Sequence, residues 1–309
     1  MAGICMAAAE WQGLKKIREQ VKYKATAFSF MIFSLLMGYK YVLRCLMYPF
    51  LKEGIKRLLT PINISRCFEL PNAFNELCCS DGQNYYILDL SSPKLLAFYI
   101  AKKTNSRVVA TDIAEREVVS WRTLWDIIDN NRTFISSEKL HLQVLDGRQT
   151  AFKDETFDRI VSVSVLEHID ADGDTVTVKE LSRILKKNGI LVLTLPYSHE
   201  YYEEYKDYDI YGLYNPSSKK YFWSRYYNDH ALLSRLIEPS GLELIRKQYV
   251  IENPISFCRL DEKLAPYFYL FFPLFPLITK MSMRVTEHPR PDDYKKVNVV
   301  SITFRKRER

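Results

Sequence analysis

From about residue 84 onward, short β-branched runs alternate with amphipathic segments. This is the pattern of repeated βαβ units, and it restricts the chain to an open, mostly parallel sheet with helices on both faces. Tyr85–Leu90 reads as a first buried strand, Leu95–Lys103 as a helix and Arg107–Asp112 as a second strand. A helix over Glu115–Asn130 leads to strands at Leu140–Leu145 and Phe157–Ser164. The periodicity predicts a helix over Val176–Lys187, ended by Asn188-Gly189, before a fifth strand at Ile190–Leu195 that Pro196 stops. A helix over Ala231–Pro239 and strands at Leu242–Ile251 and Val297–Arg305 bring the sheet to seven strands.

Residues 1–60 read as a helical extension and 61–309 as one domain, with core 84–251, an insertion over 252–296 and the last strand over 297–305. With 47% apolar and 26% charged residues, the composition is that of a globular protein and excludes a disordered one. The six cysteines show no C-x-x-C spacing and no histidine at a zinc-like distance, so they read as reduced thiols and no metal site is expected. The net charge of +7 is accounted for by residues 1–60, where ten basic residues face three acidic ones.

That charge flanks an uncharged run, Ala25–Tyr39, of fifteen residues. A bilayer-spanning helix needs roughly 20. Lys15, Lys16, Arg18, Lys22 and Lys24 precede the run, and Lys40, Arg44, Lys52, Lys56 and Arg57 follow it. Basic residues on both sides suit a helix lying at an anionic membrane surface, ahead of a buried domain helix and of a span. The Phe, Met and Leu interleaved with the charges speak against a nucleic-acid groove. A second apolar stretch, Leu264–Thr279, falls in the insertion and carries three prolines. It reads as buried packing or as a docking patch.

In such a sheet, ligands sit beyond the carboxyl ends of the strands. Asp89 ends the first predicted strand and Asp112 the second, Asp146-Gly147 follows the third, and Ser162–His168 closes and follows the fourth. A carboxylate after the second strand is placed to accept the hydroxyl protons of a ribose, and one after the third to accept from an adenine amine. Each alone also fits a loop carboxylate or helix cap.

The ordered set Ile87–Leu90, Val109–Ile113, Asp146–Asp158, Val165–Ile169 and Glu180–Leu193 resembles the class I S-adenosylmethionine-dependent methyltransferases of Rossmann-like fold, in that family's order over about residues 84–251. The resemblance implies S-adenosylmethionine as cofactor. It places the methionine moiety beside Asp89, the ribose on Asp112 and the adenine amine on Asp146, with Gly147 leaving room beside the ring. The cofactor-facing set is then Asp89, Ser91, Ser92, Lys94, Asp112, Ile113, Asp146, Gly147, Ser164 and Leu166. Leu166, Glu167 and His168 line the junction with the acceptor.

One departure stands out. The family's first loop is usually rich in glycine, whereas this chain reads Asp89-Leu-Ser-Ser-Pro-Lys-Leu95. Ser92 and Pro93 read as the N-cap and first residue of a helix whose N–H groups, with Lys94, receive the methionine carboxylate. After the fifth strand, the tyrosine-rich stretches 196–211 and 221–230 supply walls for an acceptor. His168 and His199 are the candidate bases, with Glu200 and His230 behind them.

These readings converge on methyl transfer to a small-molecule or lipid-linked acceptor, or a glycan, by a cytoplasmic protein held on the cytoplasmic face of a membrane. The alternative is a non-catalytic methyltransferase-like module that docks a partner through its aromatic insertion.

Overall fold

A computed structural model of the chain describes residues 24–44, 48–59, 61–77, 82–129, 139–209, 220–252 and 273–308. Three helices come first: α1 (Ala27–Arg44), α2 (Tyr48–Leu59) and α3 (Ile64–Glu76). The α/β core follows as β1 (Tyr86–Asp89), α4 (Leu95–Lys103), β2 (Arg107–Asp112), α5 (Glu115–Asp129), β3 (Leu140–Val144), β4 (Phe157–Val163), α6 (Gly173–Ile184) and β5 (Leu185–Pro196). A hairpin of β6 (Tyr202–Lys206) and β7 (Tyr221–Tyr226) leads to α7 (residues 229–240), which has a π-helical turn at Leu233–Ile237. The chain ends with β8 (Glu243–Glu252), α8 (Phe275–Ser282), β9 (Met283–Thr286) and β10 (Val297–Arg305).

The main sheet has the order β3-β2-β1-β4-β5-β10-β8-β9. Strands β1 to β5 pair in parallel, and β10 is antiparallel to both β5 and β8, so β8 runs with the parallel set. The mostly parallel sheet with helices on both faces is as the sequence pattern predicts, and the insertion adds β9 as an eighth strand at the β8 edge. Alternate strand residues face opposite ways: Ile87, Val108, Ala110 and Val161 pack under α1, α3, α4 and α5, while Leu88, Val109, Ile160 and Leu191 pack under α6 and α7.

Among the boundaries that differ from the sequence reading, two have a clear physical reason. The α6 helix ends at Ile184, three residues before the predicted Lys187, and Leu185 already pairs with Phe157 in β5. The Lys186 ammonium reaches Asp158 at 2.8 Å, and the Asn188 N–H bonds to the Lys306 carbonyl, so sheet partners claim residues with good helix propensity. Asn188 takes φ +60°, which turns the strand before Gly189. At the second boundary, the helix after β1 begins at Leu95 with Lys94 as its N-cap, and Ser92 makes no cap.

The predicted interfacial run 25–39 belongs to α1. Phe30, Met37 and Tyr41 are buried, and Phe30 stacks on Tyr99 of α4 at 4.0 Å. The same helix turns Phe28, Ile32, Leu36, Tyr39 and Leu43 outward, each about half exposed or more. It crosses α2 at glycines, where a Cβ on Gly38 would lie 2.9 Å from the Gly54 carbonyl oxygen. Among the described residues no helix is long and apolar enough to cross a membrane. Residues 264–272 of the second apolar stretch, and the basic residues before Lys24, lie outside the described residues, as do all cysteines except the buried, unbridged Cys67.

Candidate functional site

The carboxyl ends of β1, β2, β3 and β4 surround a cavity of about 740 Å³. Its walls include Ser91, Ser92, Lys94, Asp112, Ile113, Asp146, Gly147, Ser164 and His168. Two members of the predicted set are elsewhere: Asp89 lies buried beneath the first loop, and Leu166 is in the core under α6.

Side chains hold that loop in shape. Asp89 Oδ1 accepts the Ser92 N–H at 3.1 Å, and the Ser92 hydroxyl accepts the Val163 N–H at 3.0 Å. Lys94 is almost wholly buried, and its ammonium donates to the carbonyls of Ser92 and Thr111 and lies 3.5 Å from Asp112 Oδ2. Lys94 therefore pins the ends of β1 and β2 together and is not a free cation for a ligand carboxylate, as the sequence reading had it. Burial pushes the Asp89 carboxyl up, opposed by Lys94, and its Oδ2 has no hydrogen-bond partner among the described residues. Ser91 sits at φ +53°, a left-handed conformation in which glycine has no Cβ strain.

Asp112 keeps Oδ1 on the Ala114 N–H at 3.1 Å and is partly exposed to the cavity. Asp146 is gripped by Arg148, whose Nη2 donates to Oδ2 at 2.8 Å, and this pairing holds its carboxyl below the usual range. At Gly147 a side chain would meet Leu90 methyls at 3.0 Å, so this glycine is fitted to the protein as well as to the cavity.

A second cavity, of about 660 Å³, shares Arg66 and Ser164 with the first. Its walls include Glu69, Glu167, Tyr197, His199, Tyr202, Tyr226 and Tyr294. The shared wall is tightly bonded. Arg66 Nη1 donates to Glu69 Oε2 at 2.5 Å and to the Ser164 hydroxyl at 3.0 Å. The Ser164 hydroxyl in turn donates to Glu69 Oε1 at 2.6 Å, and Thr194 Oγ1 donates to the same oxygen at 3.1 Å. Ser164 holds φ +52° at the end of β4, and this places its hydroxyl between the cavities.

The two predicted bases line different cavities. His168 lines the first cavity and donates Nδ1–H to the Trp223 carbonyl at 2.6 Å, which leaves Nε2 as the basic nitrogen, 3.8 Å from Glu167 Oε1. Burial depresses its basicity. His199 is exposed at the second cavity. Glu200 and His230 are exposed and line neither cavity. Sequence reasoning missed Arg66 and Glu69, which sit on a helix before the first strand with no motif to mark them. It placed Glu167 at the junction without treating it as a base.

The turn after β4 is braced from the hairpin and α7. Arg225 is fully buried and donates to the carbonyls of Ile169 and Ala171, each at 2.7 Å. Arg225 and Arg235 both pair with the buried Asp174. Among the described residues no cluster of metal-ligating side chains is present.

The profile of the methyltransferase-domain family matches residues 88–193, the span from β1 to β5 that builds the first cavity. No curated protein matches the chain by sequence. Among solved structures, a candidate methyltransferase from Bacillus halodurans is 17% identical with a TM-score of 0.50, over 78% of this chain and 99% of that one. An S-adenosylmethionine-dependent methyltransferase from Mesorhizobium loti is 12% identical over 79% and 100%, with a TM-score of 0.47. The 1,6-didemethyltoxoflavin-N1-methyltransferase of Burkholderia thailandensis, solved with 1,6-didemethyltoxoflavin and S-adenosylhomocysteine, is 14% identical over 78% and 79%, with a TM-score of 0.46. Residues 88–193, which set the ordered motifs on the carboxyl ends of a sheet of this order, match the methyltransferase-domain family.

Proposed function

We propose that the protein transfers the methyl group of S-adenosylmethionine to an acceptor that enters by the second cavity. The observation that carries this reading is the meeting of two cavities at one bonded wall, Arg66, Ser164 and Glu69, directly after β4. The first cavity has the right donors and acceptors for the cofactor: a partly exposed carboxylate after β2, another after β3, and a loop turned by Ser91 at φ +53° where backbone approaches closely. The cofactor supplies an electrophilic methyl group on sulfur. The protein's part is to fix the acceptor in line with it, from which most of the rate enhancement follows.

The acceptor is best read as lipid-linked. Besides the outward apolar row on α1, Phe28 to Leu43, α2 exposes Ile55 and Leu59, and Lys24 before α1 and Lys52 and Lys56 on α2 are exposed. Exposed apolar and basic residues of this kind suit an anionic bilayer surface.

Calorimetry with S-adenosylmethionine and S-adenosylhomocysteine tests the cofactor half. Asp112→Ala is expected to weaken binding by about 1.5–3 kcal/mol, the range for hydrogen bonds to a charged group. A folded Asp112→Ala protein with unchanged affinity removes the ribose assignment. Absence of binding to the wild type favours the non-catalytic module.

A further inference from the structure

Glu167 lines the second cavity with a side chain only 3% exposed, and its Oε2 has no hydrogen-bond partner among the described residues. The other buried carboxylate of that cavity, Glu69, is saturated by Arg66, Ser164 and Thr194. Glu167 is thus the buried acid of that cavity's wall that still has an oxygen to offer to an occupant. Leaving a buried polar atom unsatisfied is costly, so an occupant with matching hydrogen-bonding groups is stabilised there.

We propose that the second cavity holds the acceptor's nucleophile, an amine or a hydroxyl, and that Glu167 Oε2 removes its proton during methyl transfer. The inference rests on the transferase reading above and names the chemistry of its acceptor. The nucleophile's lone pair forms the new bond to the methyl carbon. The bond from sulfur to that carbon breaks with its electrons staying on sulfur, and the sulfonium becomes a neutral thioether. The proton of the N–H or O–H passes to Glu167 and from there to solvent, so charge balances with one proton released.

The surroundings suit a base that works near neutral pH. Burial first, then the neighbouring Glu69 carboxylate, pushes the Glu167 carboxyl up to about 8, against a hydrogen bond from its own backbone N–H and the pull of Arg66 on α3 and Arg225 on β7. His168, 3.8 Å away on the same turn, has its own basicity depressed by burial. A base of this strength is matched to its task. The braced turn keeps it in place through Arg225 and Arg235, which hold residues 169–174. Stacked Tyr202 and Tyr226, with ring centroids 4.4 Å apart, offer a flat apolar surface for the acceptor's body.

The test has two arms on the full-length protein. In the first, a small diazoacetamide, which esterifies carboxyls in their protonated form, is applied with and without S-adenosylhomocysteine, and modified residues are mapped by peptide mass spectrometry. Glu167 is expected to react in preference to other carboxyls, with the ligand present as well as absent, and to cease reacting as pH passes about 8. A Glu167 that stays unmodified below that pH overturns the proposal. In the second arm, labelled methyl transfer to a total lipid and metabolite extract is followed for wild type, Glu167→Gln and Glu167→Asp. Glu167→Gln is expected to bind S-adenosylhomocysteine normally yet transfer at least about 100-fold more slowly, the lower range for loss of a general base. Its rate is expected to lose the rise with pH that the wild type shows, while Glu167→Asp keeps part of both. A Glu167→Gln protein that matches the wild type, or a wild type that binds S-adenosylhomocysteine but transfers nothing, overturns the proposal. A wild type that fails to bind S-adenosylhomocysteine sinks the transferase reading instead, and the labelling arm still decides whether Glu167 faces the cavity.

Discussion

At the 89–94 loop, side chains do what glycine backbone freedom does in the usual form of the same turn. The Ser92 hydroxyl ties the loop to β4, and Lys94 ties β1 to β2 while balancing Asp89 and Asp112. Reintroducing glycine therefore has little to offer the cofactor. Ser92→Gly is expected to leave S-adenosylhomocysteine affinity unchanged or lower, and a large gain in calorimetry would mark the native loop as degenerate. Lys94→Met removes the ammonium that lies between two carboxylates, one of them fully buried. Breaking a buried pair on one side costs about 3–5 kcal/mol, and urea melts of Lys94→Met against wild type measure it. The sequence pointed to Lys94 as a ligand contact because a lysine at a loop end is ordinarily free. Only the fold shows two carbonyls already waiting for it.

At the scale of elements, the crossing of α1 and α2 depends on two glycines. A valine at position 38 would push its Cβ against the Gly54 carbonyl and Arg57, so the helices must separate or shift. Gly38→Val is expected to destabilise the protein by about 1–3 kcal/mol, the usual cost of overpacking, and a lowered melting temperature checks it.

The Glu180 carboxylate ties the α6 helix to the 150–154 turn. Glu180 Oε1 accepts from the Thr150 N–H at 2.9 Å and hydroxyl at 2.5 Å, and the Arg183 guanidinium adds further bonds. Arg183 first, with Thr150, holds the Glu180 carboxyl down at about 2. A depressed folded value means the stabilisation is present in full above the unfolded value near 4.5 and is lost as pH falls towards about 2. Glu180→Gln is expected to melt lower than wild type at pH 7, with the gap closing by pH 2 to 3. A gap that persists at low pH would show that the carboxylate charge is not what the turn uses.

For the whole molecule, the consequential surface is the outward row of α1 with the exposed apolar residues of α2. Because the inward row of α1 is core, deleting residues 1–60 would strip the domain of packing, and substitutions on the outward row are the cleaner probe. Wild type is expected to float with anionic liposomes more than with neutral ones and to be only partly released by salt, since buried apolar side chains are not screened. Leu36→Glu with Leu43→Glu removes two apolar contacts worth about 1.5–3 kcal/mol each and is expected to abolish flotation while leaving cofactor binding intact. Flotation equal to wild type removes the membrane reading, and with it the ground for a lipid-linked acceptor.

The sheet was legible from sequence because its strands alternate β-branched runs with amphipathic helices, and such patterns state which face each residue presents. The ends of β1 to β4 were legible for the same reason, so Asp112, Asp146, Gly147 and Ser164 were placed at the first cavity without coordinates. What sequence by itself could not determine was which polar groups are already spent on one another. Lys94 donating to the Thr111 carbonyl on the next strand, and Glu69 bonded to Ser164 and Thr194 more than ninety residues away, are long-range pairings that no local pattern encodes. The α1 run likewise reads as apolar all round. Only the packing of Phe30, Met37 and Tyr41 against α3 and α4 decided which side is core and which is surface. Hydrophobic burial is non-directional, so sequence specifies that a helix of this kind must hide a face, and tertiary structure selects the face.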